Sequence, residues 1–194
     1  MRKTSDTKSR IVSAAWKLFY QQGYDNTTID DILDEAHASK GSFYHYFASK
    51  DDLPSSLGYL FDEKYEELAK TMDPKMNPLD KLIYINHELF LMIENSISID
   101  LLARLYSSQL ITSGEKHLMD QSRSYYKLLK KIIRDGQAKG ELRSDITSNE
   151  IVKAYALFER ALLYDWCLCN GDYSLYNYSD NTFPMFLEGF KNKN

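Results

Sequence analysis

Five side chains able to do polar chemistry fall within seven positions: Ser39, Lys40, Ser42, Tyr44 and His45. They offer hydroxyls, an ammonium, a phenol and an imidazole, which suits hydrogen bonding to a charged or polar partner. Catalysis would need more. No nucleophile elbow, phosphate loop or dinucleotide fingerprint occurs in the 194 residues, so no catalytic residue and no cofactor is expected. From Ala36 to Lys50 there is no Asp or Glu, although the chain holds 28 of them. Donors and cations cleared of carboxylates match the phosphates and base edges of DNA. Arg2, Lys3, Lys8 and Arg10 add positive charge near the N-terminus, against Asp6.

The elements around this segment must hold it in place. Ile11, Ala15, Leu18 and Phe19 form one apolar stripe, which predicts a helix over 7–22. Gly23 follows at the position of a helix-ending glycine, and Tyr24 can fold back on the last turn. Thr28-x-x-Asp31 reads as a capping box for a helix buried through Ile29, Ile32, Leu33 and Ala36. Asp30, Asp31, Asp34 and Glu35 thus fall on that helix. A turn at His37-Ala38 leads to a short helix over 40–46, capped by Ser39. Helix, tight turn and short helix make helix-turn-helix spacing. Phe43 and Phe47, four apart, anchor the short helix and leave the five polar side chains for a DNA groove. A fourth helix begins near Ser49, with Leu53, Leu60, Phe61 and Leu68 apolar. Pro54 predicts a late or distorted start for it.

The stretch from Thr7 to Leu53 resembles the TetR/AcrR family of transcriptional regulators almost position for position, most specifically in AAWKLFYQQGYDNTTIDDI and SKGSFYHYFASKDDL. The resemblance covers about a quarter of the chain. It implies a dimeric, all-α, repressor-like regulator on double-stranded DNA with a palindromic operator. It also implies a small-molecule effector in the second domain. Thr28 lies where the family touches a phosphate, Ser39, Lys40, Ser42, Tyr44 and His45 lie in the recognition helix, and Lys50 opens the fourth helix. By chemistry, Thr28, Tyr44 and Lys50 are assigned to phosphates, Ser42 and His45 to base edges, and Lys40 to either. The family has Gly where this chain has His37. A turn needing positive φ tolerates His, so His37 is expected in the left-handed region at a cost of ~1 kcal/mol.

Beyond Pro78 the periodicity predicts helices near 78–95, 98–112, 115–139, 147–169 and 180–191, with Thr147-x-x-Glu150 as a second capping box. The lengthening of elements sets a boundary near residue 50: a helix-turn-helix domain over 1–50, and a helical effector-binding and dimerisation domain over 51–194. The fold class expected is all-α, with about nine helices. The helix at 147–169 is apolar nearly all round, interrupted by Glu159, Arg160 and Asp165, so it must be buried on more than one side. Tyr155, Leu162 and Trp166, with Phe183, Phe186, Leu187 and Phe190 of the last helix, are the candidates for a dimer seam. Aromatic density suggests Tyr84, His87, Phe90, Leu91, Tyr106, Tyr125, Phe158 and Tyr164 for the effector pocket. Lys127, Lys130, Lys131, Arg134 and Lys139 interleave with apolar residues and read as a solvated face.

His87 beside Glu88, and His117 near Glu115, lack the three- or four-residue spacing of a helical metal site, so no metal is expected. Cys167 and Cys169 stand about 200° apart on a helix and cannot bridge each other. They suit small buried hydrophobes in a reducing cytoplasm. No apolar run approaches the ~18 residues that a membrane span needs. The net charge of −4 excludes a globally basic binder. Residues 1–50 nevertheless carry seven Lys/Arg against six Asp/Glu, so the acid excess belongs to the rest. The competing reading is an all-α ligand-binding or protein-interaction module without sequence-specific DNA binding.

Overall fold

The computed structural model describes residues 3–111 and 116–192. Arg2, Thr112 and Glu115 lie outside the described residues, as do the side chains of Lys3 and Asp6. The helices are α1 (Lys3–Gln22), α2 (Ile29–Ala36), α3 (Lys40–Tyr46), α4 (Leu57–Thr71), α5 (Pro78–Ser96), α6 (Ile99–Ile111), α7 (Ser124–Ala138), α8 (Ser148–Leu168) and α9 (Leu175–Leu187). Among the described residues there is no strand, only an isolated antiparallel bridge between Leu142 and Lys191. The fold is therefore all-α, as expected.

Residues up to Gly58, together with those from Ser96 to Ile111, form one compact unit. In it α1 packs on α2 and α3 through Ile11, Ala15, Phe19, Ile32 and Phe43, each no more than 1% exposed. α6 packs on the 3-10 turn Lys50–Ser56, bringing the buried Leu101, Leu102 and Leu105 into the same unit as Leu53. That turn carries Pro54, and the α-helix begins only at Leu57. The missing N–H and the ring's clash with the preceding turn account for the delay.

The second unit holds residues 59–95 and the described residues from 116 on. Here α8 packs against both α7 and α9. α7 runs close to its neighbours because Gly136 has no side chain. A Cβ there would stand 2.7 Å from Pro78 Cγ and 2.8 Å from Leu142.

Two helix starts differ from expectation. The region 115–139 is not one helix: a 3-10 turn, His117–Met119, precedes α7. The Asp120 carboxylate accepts from the Ser122 N–H at 2.8 Å and its hydroxyl at 2.9 Å. That local turn competes with the helical ladder. α9 begins at Leu175 rather than 180, because the Ser174 hydroxyl caps it by accepting from Asn177 N–H. It also runs through Pro184.

Candidate nucleic-acid interface and ligand cavity

In the first unit, local chemistry sets each turn of the motif. The Thr28 hydroxyl accepts from Asp31 N–H at 3.1 Å, and Thr28 N–H donates to the Asp31 carboxylate at 2.8 Å, closing the capping box. Those bonds hold the Asp31 carboxyl below the usual range. His37 lies at φ 48°, ψ 48°, as its place in the turn requires. Ser39 Oγ accepts from Ser42 N–H at 3.2 Å and lies 3.0 Å from Ser42 Oγ. Phe43 and Phe47 turn inward with ring centroids 5.5 Å apart.

The opposite side of α3 is open. Tyr44 is 55% exposed, and its ring meets Phe43 edge-on. Lys40, Gly41 and His45 are exposed, and Ser42 is half-buried. Thr28, at the start of α2, is exposed as well. Lys40 pairs with Asp30 at 2.9 Å, but both side chains are mostly in solvent, so the pair is weak and easily exchanged. Lys50 is more committed. Its ammonium donates to the carbonyls of Tyr24 and Thr27, both at 2.9 Å, and lies 4.4 Å from the Tyr24 ring centroid. Two of its three donors thus fix the loop between α1 and α2.

Tyr24 is the node of that loop. Its ring lies 4.9 Å from Phe19, and its hydroxyl donates to Asp51 at 2.5 Å. Burial, followed by the Asp51 hydrogen bond, pushes the phenol's pKa far up. The Arg104 guanidinium of α6 sits 4.4 Å from the same ring and bonds Asp25 at 3.2 Å and Asp100 at 2.8 Å.

The second unit contains a cavity of about 370 Å³. Tyr65 and Ala69 of α4, Met72 just after it, Pro78 of α5, and Leu128 and Ile132 of α7 make its apolar wall, and Lys81, Lys127, Lys131 and Lys139 line it too, together with Glu66 and Asp135. Three of these lysines come from the run that sequence patterning assigned to a solvated face. Patterning could not show that α4 closes over that face.

The aromatic residues expected to line a pocket do not converge on this cavity. Phe90 is buried core. Tyr84 and Leu91 are half-buried, and Tyr106 belongs to the first unit. His87 pairs with Asp180 at 2.9 Å, and Phe158 stacks on Phe186 at 4.2 Å. Tyr164 is 52% exposed. Tyr125 contacts a residue of the cavity wall, its ring lying 4.8 Å from that of Tyr65. The dimer-seam candidates are placed inside the protomer as well. Tyr155, Leu162, Trp166, Phe183, Leu187 and Phe190 are buried, and Phe186 is half-buried. The apolar surface of α8 and α9 is instead Leu157, Tyr164, Leu168, Tyr178 and Met185. A helix apolar on both sides does not announce which side its own domain takes; here the protomer took most of the large rings.

Glu159 of α8 is buried, with Asn86 Nδ2 donating to it at 3.1 Å and Tyr125 hydroxyl at 2.6 Å. Sequence patterning recorded it only as an interruption. Its position, four after Tyr155 and three before Leu162, was the available sign of an inward side chain. Burial raises its pKa; the bonds from Tyr125 and Asn86 oppose this and lose. The folded chain therefore holds that proton more tightly than the unfolded chain. The resulting stability is full in acid and is lost as pH rises through the raised value. Glu159→Gln should accordingly gain in melting temperature relative to wild type on going from pH 5 to pH 8. A calorimetric difference that shrinks over that range would show that the anion is the favoured form.

The sequence comparisons agree with this architecture. Residues 11–56 match the model of bacterial regulatory proteins, tetR family, and residues 57–189 match the YsiA-like protein C-terminal region. The HTH-type transcriptional regulator HbdR of Aromatoleum sp. (strain CIB) is 27% identical over 189 residues, covering 95% of this chain and 81% of HbdR. Thermus thermophilus FadR, a TetR-family transcriptional repressor solved with lauroyl-CoA, superposes with a TM-score of 0.72 at 21% identity, over 94% of each chain. FadR from Bacillus subtilis, solved with stearoyl-CoA, gives 0.70 at 19% identity, over 94% of this chain and 99% of that one. With an N-terminal helix-turn-helix, a YsiA-like helical remainder and relatives that are regulators rather than enzymes, the chain belongs to the TetR family of DNA-binding transcriptional regulators.

Proposed function

We propose that this chain is a repressor that binds a palindromic operator as a homodimer and releases it when an acyl thioester of coenzyme A occupies the second unit. The cavity carries this reading: its wall is apolar enough for an acyl chain, and its lysines suit the phosphates of coenzyme A. The solved relatives that hold stearoyl-CoA and lauroyl-CoA support the ligand class. The exposed apolar stripe of α8 and α9 is the surface offered to a second copy. Two α3 helices would then enter major grooves about 34–36 Å apart. A ligand that favours another protomer conformation shifts the population away from the DNA-competent one. Among the described residues no helix is long and apolar enough to cross a membrane, in keeping with a regulator that works where the DNA is, in the cytoplasm.

In this reading Thr28, Tyr44 and the remaining donor of Lys50 meet phosphates. Ser42 and His45 meet base edges, Lys40 meets either once it leaves Asp30, and Ser39 holds the start of α3. Residues 1–50 carry the DNA-reading side chains; the turn after them and α6 belong to the same unit, and the second unit is the effector and dimer part. Tyr44→Ala should weaken binding alike on all sequences, whereas His45→Ala should change base preference more than affinity. Equal losses with unchanged preference would refute that sorting.

The decisive measurement is operator release. Lauroyl-CoA should dissociate the protein–operator complex, and free coenzyme A or laurate should not. Binding without ligand should fall roughly tenfold per doubling of salt, which a module without DNA recognition would not show. An operator complex indifferent to acyl-CoA would remove the effector assignment.

A further inference from the structure

The glycines of this chain serve different ends. Gly23 lies at φ 84°, where a side chain is strained. Gly136 lets α7 pack closely, since a Cβ there would stand 2.7 Å from Pro78 Cγ. Gly41 of α3 has neither reason. Its φ is not positive, and it is exposed. The nearest atom that a Cβ there would meet is Ser39 Oγ at 3.9 Å, an ordinary contact. Glycine is the poorest helix former after proline, and α3 has only seven residues. An alanine at this position would suit the protein better. The reason for glycine therefore lies outside the protein, on the exposed face of α3.

That face is well defined. Tyr44 and His45, three and four positions on, share it with Gly41, and both are exposed. Lys40 is drawn to Asp30 of α2 at 2.9 Å, and the Ser39 and Ser42 hydroxyls lie 3.0 Å apart. These side chains engage their neighbours and leave the Gly41 backbone uncovered. Gly41 is thus a notch among polar residues. Phosphates at the groove's rim are within reach of longer side chains; a missing side chain matters where the helix comes nearest the groove floor. There the base edges present donors, acceptors and one apolar projection, the 5-methyl group of thymine. A notch bounded by a bare Cα fits that methyl.

We propose that Gly41 is a specificity-determining residue of the DNA contact, where the α3 backbone takes a thymine 5-methyl group that any side chain would exclude. This role rests on α3 being the helix that enters the major groove.

The test uses the full chain and the duplex that wild type selects most strongly from a random-sequence library. Gly41→Ala should bind that duplex about tenfold or more weakly, as overpacked contacts do. Its melting temperature should meanwhile rise by about 1–4 °C. A glycine needed only for structure would lower both together. Deoxyuridine, which lacks just the methyl, then replaces each thymine of one half-site and its symmetry mate in turn. At one position Gly41→Ala should recover to within about threefold of wild type on the same duplex, while elsewhere its loss persists. An equal loss at every position would put the contact on sugar or phosphate and overturn the thymine assignment. Unchanged affinity in Gly41→Ala, or a lower melting temperature, would overturn the role of Gly41 and leave α3 as the reading helix. If wild type selects no duplex, both readings fall.

Discussion

Phe43→Ala should abolish operator binding by undocking α3, a larger loss than any exposed residue of that helix can produce. α3 has only seven residues, too few to persist on its own propensity. What holds it is the Ser39 cap and the burial of Phe43 and Phe47. Phe43 is 0% exposed, and truncating a buried Phe costs about 3–5 kcal/mol, most of what a small domain has to spare. At about 1.4 kcal/mol per tenfold, affinity should fall by about a hundredfold or more. The melting transition of the first unit should drop or broaden with it. Tyr44→Ala should leave that transition in place and affect binding alone. Retained operator affinity in Phe43→Ala would mean that α3 does not depend on this anchor.

Asp62→Ala should be the most damaging single change in the second unit. Asp62 of α4 accepts from Arg123 Nε at 2.9 Å, where the arginine side chain is 5% exposed and the carboxylate 16%. Its other oxygen accepts from the Tyr125 backbone N–H at 3.3 Å. Removing the carboxylate takes away the charge that compensates a buried guanidinium, which typically costs about 3–5 kcal/mol. Asp62→Leu combined with Arg123→Met should cost much less than Asp62→Ala, because no buried charge then remains. Denaturant unfolding of the three proteins checks the order. A loss below about 1 kcal/mol in Asp62→Ala would show that water readily takes over the carboxylate's part.

What could be read from the sequence is what depends on neighbours along the chain. The Thr28–Asp31 and Thr147–Glu150 boxes, the Ser39 cap, the left-handed His37 and the late helix after Pro54 are all present. Each depends on covalent geometry or on a hydroxyl within three residues of its partner. What could not be read concerns contacts between distant segments. Whether Tyr155 or Leu157 faces inward on α8 depends on what α7 and α9 bring to it. The cavity exists because Tyr65 and Ala69 of α4 meet Leu128 and Ile132 of α7 without filling the space. The start of α7 was missed for a different reason: Asp120 and Ser122 prefer each other to the helix.

The first unit has a consequence for modularity. Its sequence is interrupted: α6, which begins 41 residues after Gly58, completes the packing around the Lys50–Ser56 turn and brings Arg104 to Tyr24. A fragment ending where the tetR-type match ends, at residue 56, would lack that helix and expose the surface around Leu53. Grafting such a fragment onto another regulator's C-terminal region would pair it with a foreign α6. The DNA-reading head is thus inherited as two pieces of sequence, and recombination between relatives succeeds only when both travel together or when the incoming α6 can rebuild the contact with Tyr24 and Asp25.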